Sequence, residues 1–361
     1  MRSRVTDLFG IDYPVIQAPM AGVSTPALAA AVSNAGALGS VGVGAAGPDG
    51  ARKMMREIRA LTNKPYHVNF FAHPSPHRNE ELESAWIDKL APLFREFGAE
   101  PPSTLKQSYA SFLEDAGQLA VVIEERPPIV SFHFGLPIPT QIAAMRDAGV
   151  TLVASATSLE EAVACEEAGM DAIIVQGFEA GGHRGVHARN EDLQLGLFAL
   201  LPQVADAVSI PLIAAGGIAD GRAIAAAFAL GAEAVQIGTA FVACPESSAG
   251  ARHRAILGTR AARKTIITRG VSGRAARGFT SRMLDAVLRD EGAAPDYPIA
   301  YDAAKRLADA VRAADADGFE VMWAGEAAAL ARPLPAAELV DMLMRKTHER
   351  LDELSRLKTA S

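Results

Sequence analysis

Short apolar runs alternate along the chain with longer alanine-rich segments whose apolar positions recur with helical period. Eight runs have the length and composition of buried strands, at residues 14–20, 37–43, 66–71, 129–134, 151–155, 171–176, 210–215 and 234–238. Helices are predicted between them, for example at residues 25–35, 48–61, 139–148, 159–168 and 220–230. Glycine follows the helical pattern at Gly36, Gly149, Gly169 and Gly231, which is typical of a helix end.

Strands that alternate with helices predict an α/β fold with a parallel sheet. Eight repeats within about 240 residues favour a (β/α)8 TIM barrel over an open doubly wound sheet, whose nucleotide site normally follows the first strand as GxGxxG. No such sequence follows residues 14–20, where the turn is Ala21-Gly-Val-Ser24. The barrel is therefore the predicted architecture.

Two regions exceed the needs of a plain barrel. Residues 74–126 are longer than one helix, and we predict two or more helices there. Residues 245–320 are arginine-rich, with a possible strand at 265–268 and a helix at about 301–314, and we predict a smaller α-rich lid domain inserted after the eighth strand. The predicted organisation is a barrel at 1–244, the lid at 245–320 and a segment at 321–361 whose helix, 335–357, returns as the last outer helix.

The composition narrows the function classes. The chain has 361 residues, 49% of them hydrophobic, and a net charge of −7, which argues against nucleic acid as a partner. Two cysteines, Cys165 and Cys244, suit a reducing compartment. We expect a cytoplasmic protein with no membrane partner, since neither a signal peptide nor an apolar run of about 18 residues is found.

The predicted strand ends carry the candidate chemistry, because a barrel's active site is built from the loops at the carboxyl ends of its strands. The loops at 215–218 and 238–241 are small and glycine-rich, and they predict a phosphate pocket; the alternative is that the glycines serve only tight turns. Four polar residues lie at or near other strand ends, namely Asn69, His133, Gln176 and Gln236. Any one of them could be a core side chain whose hydrogen bonds are satisfied within the protein. Four such residues at one rim of the barrel favour a bound ligand.

One glycine-rich loop, Val175-Gln-Gly-Phe-Glu-Ala-Gly-Gly-His-Arg-Gly185, combines a strand end with a titratable group. Its glycines permit positive φ and close approach of backbone to a ligand, while His183 offers an imidazole. A strand-to-helix turn with a surface histidine is the alternative.

The combined motifs resemble those of the nitronate monooxygenase family, formerly the 2-nitropropane dioxygenases. The resemblance rests on Gln17-Ala-Pro-Met-Ala-Gly22, the loop at 175–185, Ala214-Ala-Gly-Gly-Ile218 and Ala234-Val-Gln-Ile-Gly-Thr-Ala-Phe241. The first class of the family is further suggested by Ile129-Val-Ser-Phe-His-Phe-Gly-Leu-Pro137, Tyr297-Pro-Ile-Ala-Tyr301 with Lys305, and Val321-Met-Trp-Ala-Gly325. Glu326 departs from the glutamine expected after Gly325.

The resemblance implies an FMN-dependent barrel enzyme that oxidises alkyl nitronates such as propionate 3-nitronate. It implies cofactor contacts at Met20, Asn69, Gln176, Gly181, Gly217, Gln236, Ile237, Gly238 and Thr239. His183 is implied as the catalytic residue, and no metal is expected. The implied substrate side consists of Tyr109, His133, Tyr297, Tyr301 and Lys305.

The resulting hypothesis is that His183, Lys305 and tyrosine hydroxyls hold an anionic nitronate over the flavin. One electron passes to FMN, giving a flavin semiquinone, and O2 completes the oxidation to a carbonyl compound and nitrite. His183 serves either as an electrostatic seat or, for neutral nitroalkanes, as a general base. The expected partners are this small substrate and O2, with the chain a monomer or homodimer.

Two alternatives compete with nitronate oxidation. A related enzyme could pass hydride from NAD(P)H through the flavin to quinones or enoyl thioesters, and a non-catalytic flavin-binding barrel is the second alternative. Individual residues also have simpler roles available to them. Tyr297 and Tyr301 could be one packed helix face, and Lys305 a solvated lysine. The arginines of Gly273-Arg-Ala-Ala-Arg-Gly278 could bind phosphate or form salt bridges.

Overall fold

Eight parallel strands form the centre of the protein, in a computed structural model that describes residues 1–188 and 191–357. With three further strands outside the barrel, the chain order is β1 (Val15–Gln17), β2 (Gly39–Gly42), β3 (Tyr66–Phe71), β4 (Ile129–His133), β5 (Thr151–Ala156), β6 (Ala172–Gln176), β7 (Gly182–His183), β8 (Leu212–Ala215), β9 (Ala234–Ile237), β10 (Thr265–Thr268) and β11 (Ala276–Phe279) for the described residues. The large sheet has the order β1-β9-β8-β6-β5-β4-β3-β2. A parallel bridge between Ile16 and Leu38 joins its two edges, so the predicted barrel is confirmed.

Helices surround the barrel and fill the insertions. They are α1 (Arg4–Phe9), α2 (Pro26–Asn34), α3 (Gly47–Leu61), α4 (Glu80–Glu96), α5 (Ala116–Glu125), α6 (Pro139–Asp147), α7 (Leu159–Glu167), α8 (Leu197–Ala205), α9 (Gly221–Ala229), α10 (Thr239–Val242), α11 (Ala251–Ile256), α12 (Arg282–Leu288), α13 (Ile299–Ala313) and α14 (Ala336–Leu357). None of the described helices is both long and apolar enough to cross a membrane.

The last helix returns to the outside of the barrel, where α14 packs against α9 and α2. Gly221 allows this contact, because a Cβ there would lie 2.3 Å from the carbonyl carbon of Lys346. The division into segments 1–244, 245–320 and 321–361 stays a prediction, and residues 189–190 and 358–361 of it lie outside the described residues.

The two long insertions pack on each other. Helix α4, from the insertion between β3 and β4, contacts α13, which follows β11. The shared hydrophobic cluster includes Trp86, Leu90 and Phe94 of α4 together with Ile299 and Leu307 of α13. As predicted, residues 74–126 contain more than one helix, α4 and α5. The packing of α4 against α13 brings the two insertions together, although they are far apart in sequence.

A second, three-stranded sheet has the order β10-β11-β7 and was only partly predicted. Strand β10 matches the expected strand at 265–268, whereas β7 and β11 were missed. Strand β7 is antiparallel to β11, with His183 opposite Ala276 and Gly182 opposite Arg277. A two-residue strand has no periodicity to detect, so the sequence pattern could not reveal this pairing.

Polar side chains form a connected layer inside the barrel. The buried ring of His67 lies 2.8 Å from Ser40 Oγ through Nδ1 and 2.6 Å from Ser131 Oγ through Nε2. Ser131 Oγ also accepts a hydrogen bond of 2.8 Å from Asn69 Nδ2. Each ring nitrogen of His67 therefore has a hydroxyl partner without carrying a charge, and the Asn69 amide is held with its nitrogen toward β4.

The burial of His67 predicts a pH-dependent stability. Burial lowers the pKa of this imidazole to about 3, whereas an exposed histidine in the unfolded chain titrates near its usual value. Between those values only the unfolded state binds the proton, so acidification stabilises the unfolded chain and destabilises the fold. From His67 alone, the free energy of unfolding falls by about 1.4 kcal/mol for each pH unit between about 6.5 and about 3.

Urea unfolding at a series of pH values between 7.5 and about 4.5 measures this effect. His67→Gln should flatten the pH dependence of the free energy of unfolding by about one proton, whereas the exposed His348→Gln on α14 should not. An unchanged slope in His67→Gln would contradict the assignment.

Candidate active site

A cavity of about 360 Å³ opens at the carboxyl ends of the barrel strands. Thirteen of the fifteen residues predicted for the site line it, namely Met20, Asn69, Tyr109, His133, Gln176, Gly181, His183, Gly217, Gln236, Gly238, Thr239, Tyr301 and Lys305. The two others lie behind the wall. Ile237 is a buried residue of the barrel core, and Tyr297 packs behind Tyr109 and His183. The predicted site residues thus converge from both the barrel and α13.

The loop after β6 is held by its own side chains. Gln176 Nε2 donates to the carbonyl oxygen of His183 at 3.1 Å, and its Oε1 accepts from the Gly185 amide at 2.8 Å. The buried Arg184 donates to the Gly177 carbonyl at 2.8 Å and pairs with Asp192 at 3.0 Å. These bonds satisfy the backbone of a tight loop, so His183 is presented on a rigid support.

The imidazole of His183 lies among aromatic rings and one hydroxyl. Its ring centroid is 5.5 Å from that of Tyr297 and 5.4 Å from that of Trp323. Its Nε2 lies 2.8 Å from Ser272 Oγ. Burial, together with the nearby His133 and Arg274, lowers the pKa of His183 to about 3. His183 is consequently neutral at physiological pH.

His133 supports the same loop from β4. Its Nδ1 lies 2.7 Å from Ser155 Oγ, and its Nε2 donates to the His183 carbonyl at 3.2 Å. Gly185 gives the ring room, because a Cβ there would lie 2.8 Å from His133 Cε1. Burial lowers the pKa of His133 to about 4, with a smaller effect from Arg274. A second neutral imidazole therefore lines the cavity.

Two tyrosines, Tyr109 and Tyr301, and Lys305 form the outer wall, and Tyr297 lies behind them. Tyr109 Oη donates to Tyr297 Oη at 2.5 Å. The ammonium of Lys305 lies 5.0 Å from the ring centre of Tyr109 and 4.8 Å from that of Tyr301. Burial raises the pKa of all three phenols and lowers that of Lys305, the latter opposed by Asp302 and Asp309. The wall thus presents neutral hydroxyl groups and one ammonium group that makes cation–π contacts with two aromatic rings.

The opposite side of the cavity is built from glycine-rich loops. Gly216 and Gly217 follow β8 with φ values of 104° and 70°, a region that favours glycine. The amide groups of Gly216, Gly217 and Gly238 donate no hydrogen bond to any described residue. Gln236 Oε1 is buried and likewise has no partner within the described part of the chain. Free donors and a free acceptor on one wall are suited to a polar ligand.

Several residues of the site were missed from the sequence. Phe134, Ser131 and Ser155 line the cavity, and Ser272 reaches His183 from behind it. Trp323 lines the cavity too; it belongs to one of the family motifs but had no predicted role. The glycine-arginine run at 273–278 is a recognisable pattern next to Ser272. No feature of that run predicts that the segment pairs with β7.

The arginines of that run bind protein groups. Arg274 donates to the Val186 carbonyl at 2.6 Å and lies 4.6 Å from the ring centre of Phe134. Arg277 donates to the Phe178 carbonyl at 3.0 Å and pairs with Glu326 at 3.1 Å. Of the two roles considered for these arginines, salt bridging describes Arg277. The unexpected Glu326 supplies its carboxylate.

Known proteins resemble this chain in sequence and in fold. A family model described as "Nitronate monooxygenase" matches residues 2–346. A nitronate monooxygenase from Paraburkholderia phytofirmans is 53% identical over 351 residues, covering 96% of this chain and 95% of the relative. Another, from Pseudomonas aeruginosa, is 52% identical over 349 residues, covering 96% and 99%.

A solved structure extends the likeness to three dimensions. Nitroalkane oxidase from Streptomyces ansochromogenes superposes with a TM-score of 0.87 at 39% sequence identity, over 98% of this chain and all of that one. The likeness in sequence and in fold covers nearly the whole chain. This protein therefore belongs to the nitronate monooxygenase family of oxidoreductases.

Proposed function

We propose that the protein binds FMN and catalyses the oxidation of alkyl nitronates, such as propionate 3-nitronate, by O2 to a carbonyl compound and nitrite. The observation that carries the proposal is the composition of the cavity. Glycine loops with free amides form one wall, and neutral His183 with Lys305 and two tyrosines forms the other. The family to which the chain belongs supports the same reaction class.

The residues present suit a flavin phosphate and ring. The free amides of Gly216, Gly217 and Gly238 match phosphate oxygens. Gln236 Oε1 lacks a partner among the described residues, and Asn69 has its Nδ2 committed to Ser131, so both amides offer a carbonyl oxygen to an N–H donor. The pyrimidine part of an oxidised flavin presents one ring N–H, the kind of donor from which such an oxygen accepts a hydrogen bond. Met20, Gly181 and Thr239 complete the proposed cofactor contacts.

Gln176 binds mainly protein groups rather than the proposed cofactor. Both ends of its amide bind the loop that carries His183. Its proposed contact with the cofactor can use only the second amide proton, so Gln176 acts mainly by holding the loop. Ile237 contributes through backbone position, because its side chain belongs to the core.

When bound, FMN supplies the electron acceptor for substrate oxidation. The protein holds the nitronate and neutralises its charge. Lys305 is the only cationic side chain among the described residues that line the cavity, so it attracts the anionic head group. The hydroxyl of Tyr301 keeps its proton at neutral pH because burial raises its pKa, and it remains a hydrogen-bond donor. Burial also raises the pKa of Tyr109, which lines the cavity and donates its proton to Tyr297.

His183 acts as a hydrogen-bonding seat. A group whose pKa is lowered to about 3 is a weak base at neutral pH, which disfavours proton abstraction from a neutral nitroalkane. A neutral imidazole can still donate one N–H to a nitronate oxygen in a site that excludes water. His133 lies behind it and holds its carbonyl group.

Three measurements on the purified protein test the proposal. The visible spectrum should be that of an oxidised flavin, and the cofactor released on denaturation should be FMN. Propionate 3-nitronate should cause rapid oxygen uptake with release of nitrite. Anaerobic mixing with NADPH should leave the flavin oxidised. Fast flavin bleaching by NADPH with no nitronate turnover would instead establish a reductase, and a flavin protein with neither activity would be a carrier.

Replacing His183 by Asn should lower kcat/KM for propionate 3-nitronate by about 100-fold, the scale for loss of one aligned donor to a developing anion. FMN content should not change, because the loop is held through the His183 carbonyl rather than its ring. Steady-state oxygen uptake measures the effect, with the exposed His348→Asn as control. Wild-type turnover in His183→Asn would remove this residue from the mechanism.

Replacing Lys305 by Met should raise KM for the nitronate roughly tenfold while leaving kcat within about threefold, because it removes charge attraction more than positioning. Lys89→Met is a matched control, since Lys89 also lies over an aromatic ring, 4.9 Å from the centre of Trp86, but outside the cavity lining. An equal KM change in both variants would show that Lys305 has no special role.

A further inference from the structure

Ser272 is a buried residue without a part in the proposed reaction. It lies between β10 and β11 with a relative exposure of 0%, and it does not line the cavity. It cannot touch a substrate there. Its hydroxyl nevertheless lies 2.8 Å from Nε2 of His183, the residue proposed to bind the nitronate.

The two ring nitrogens of His183 have different surroundings. Nε2 faces Ser272, whereas Nδ1 has no hydrogen bond to any described residue. Nδ1 is therefore the nitrogen available to a ligand in the cavity. Whether Nδ1 carries the proton decides whether His183 donates or accepts a hydrogen bond there.

Ser272 Oγ has two acceptors within reach of its single proton. The Arg274 carbonyl lies 3.2 Å from Oγ and His183 Nε2 lies 2.8 Å from it, while the Arg274 amide donates to Oγ at 3.3 Å. Hydroxyl donors prefer about 2.7–2.8 Å and seldom exceed about 3.0 Å. The shorter contact therefore favours Nε2 as the acceptor of the hydroxyl proton.

We propose that Ser272 is a positioning residue that fixes His183 as the Nδ1–H tautomer. The hydrogen bonds run in one direction, from the Arg274 amide to Ser272 Oγ and from the Ser272 hydroxyl to His183 Nε2. The proton of the neutral ring is then on Nδ1, where it can be donated to an oxygen of an anionic nitronate. This inference rests on the proposed function, because it gives His183 the polarity that a nitronate requires.

The surroundings of His183 prevent the ring from adopting another orientation. Its backbone carbonyl is held by His133 and Gln176, and its ring packs edge-on against Phe134 and Tyr297. The pairing of β7 with β11 fixes the distance between His183 and the segment that carries Ser272. The tautomer is thus determined by one hydroxyl on a rigid frame.

The same polarity sets substrate preference. An Nδ1–H group stabilises a nitronate, but it offers no lone pair to the acidic C–H of a neutral nitroalkane. Loss of the Ser272 hydroxyl permits both tautomers, since the ring then lacks a directed donor at Nε2. Ser272→Ala should therefore weaken the reaction with nitronates and raise the relative rate with nitroalkanes.

The direct test is 15N NMR of the full holoenzyme labelled at histidine, with the His183 signals identified by comparison with His183→Asn. We expect a protonated Nδ1 and an unprotonated Nε2 in the wild type. Ser272→Ala should show a mixture of tautomers or a protonated Nε2, and Ser272→Thr, which keeps a hydroxyl, should resemble the wild type. A protonated Nε2 in the wild type, or identical spectra for wild type and Ser272→Ala, would overturn the inference.

Kinetics give a second readout. Ser272→Ala should raise KM for propionate 3-nitronate about three- to tenfold, and Ser272→Thr should restore it in part. Ser33→Ala is the matched control, because Ser33 is equally buried and its hydroxyl also binds backbone groups, but in α2. The Ser33 variant should keep wild-type kinetics. An equal KM change in Ser33→Ala would attribute the effect to general destabilisation and contradict the positioning role.

Failure of the two proposals can be told apart. Wild-type nitronate turnover in His183→Asn would refute the role of His183, whatever its tautomer. If His183→Asn is impaired while Ser272→Ala keeps both the tautomer and the KM of the wild type, only the inference about Ser272 fails. The spectrum of the wild type decides the tautomer even if Ser272→Ala does not fold.

Discussion

The candidate active site depends on the antiparallel pairing of Gly182 and His183 with Ala276 and Arg277. Without this pairing, the loop after β6 would contact only the barrel and would lack the second sheet behind His183. With it, residues from far along the chain reach the back of the imidazole, and the amide of Arg184 donates to the Ala275 carbonyl at 2.8 Å. Gly181 lets the chain at Ala324–Gly325 close against the same loop, since a Cβ there would lie 2.4 Å from the Gly325 amide nitrogen.

The pairing of β7 with β11 also brings three arginines close to the cavity. Arg184, Arg274 and Arg277 are buried behind the loop and donate to its backbone carbonyls. Burial, together with the charge of Arg274 beside both rings and of Arg184 beside His133, favours neutral His133 and His183, because a nearby cation opposes protonation. Among the described residues, the cavity itself receives its positive charge from Lys305. An accessible cation beside neutral hydrogen-bonding groups suits a small anion better than a large polyanion.

Much of this structure could be predicted from local sequence. All eight barrel strands were found within a few residues, because a buried parallel strand is an apolar run and each is separated from the next by a helical pattern. Gly36, Gly149, Gly169 and Gly231 end helices with positive φ as expected. Most residues predicted for the site line the cavity, because many of them lie at strand ends, and the family resemblance supplied others such as Tyr109, Tyr301 and Lys305.

The features that could not be predicted from the sequence depend on contacts between segments that are far apart in the chain. Ser272 carries no motif of its own, and its proximity to His183 results from strand pairing across 89 residues of sequence. Likewise, Tyr297 was expected at the cavity surface but packs behind it, because Tyr109 from another insertion lies in front. Side-chain orientation within a wall follows from tertiary packing, which a single sequence does not encode in any local pattern.

The late position of Ser272 and Gly325 in the chain has a consequence for biosynthesis. Barrel strands are complete once β9 has been made, whereas the wall behind His183 needs β11 and the Gly325 segment. Because chains emerge from the ribosome amino terminus first, the barrel can close while His183 still lacks its partners. At that stage a nascent chain has the barrel strands whose ends line the cavity, but it does not yet have the residues that contact His183 from behind.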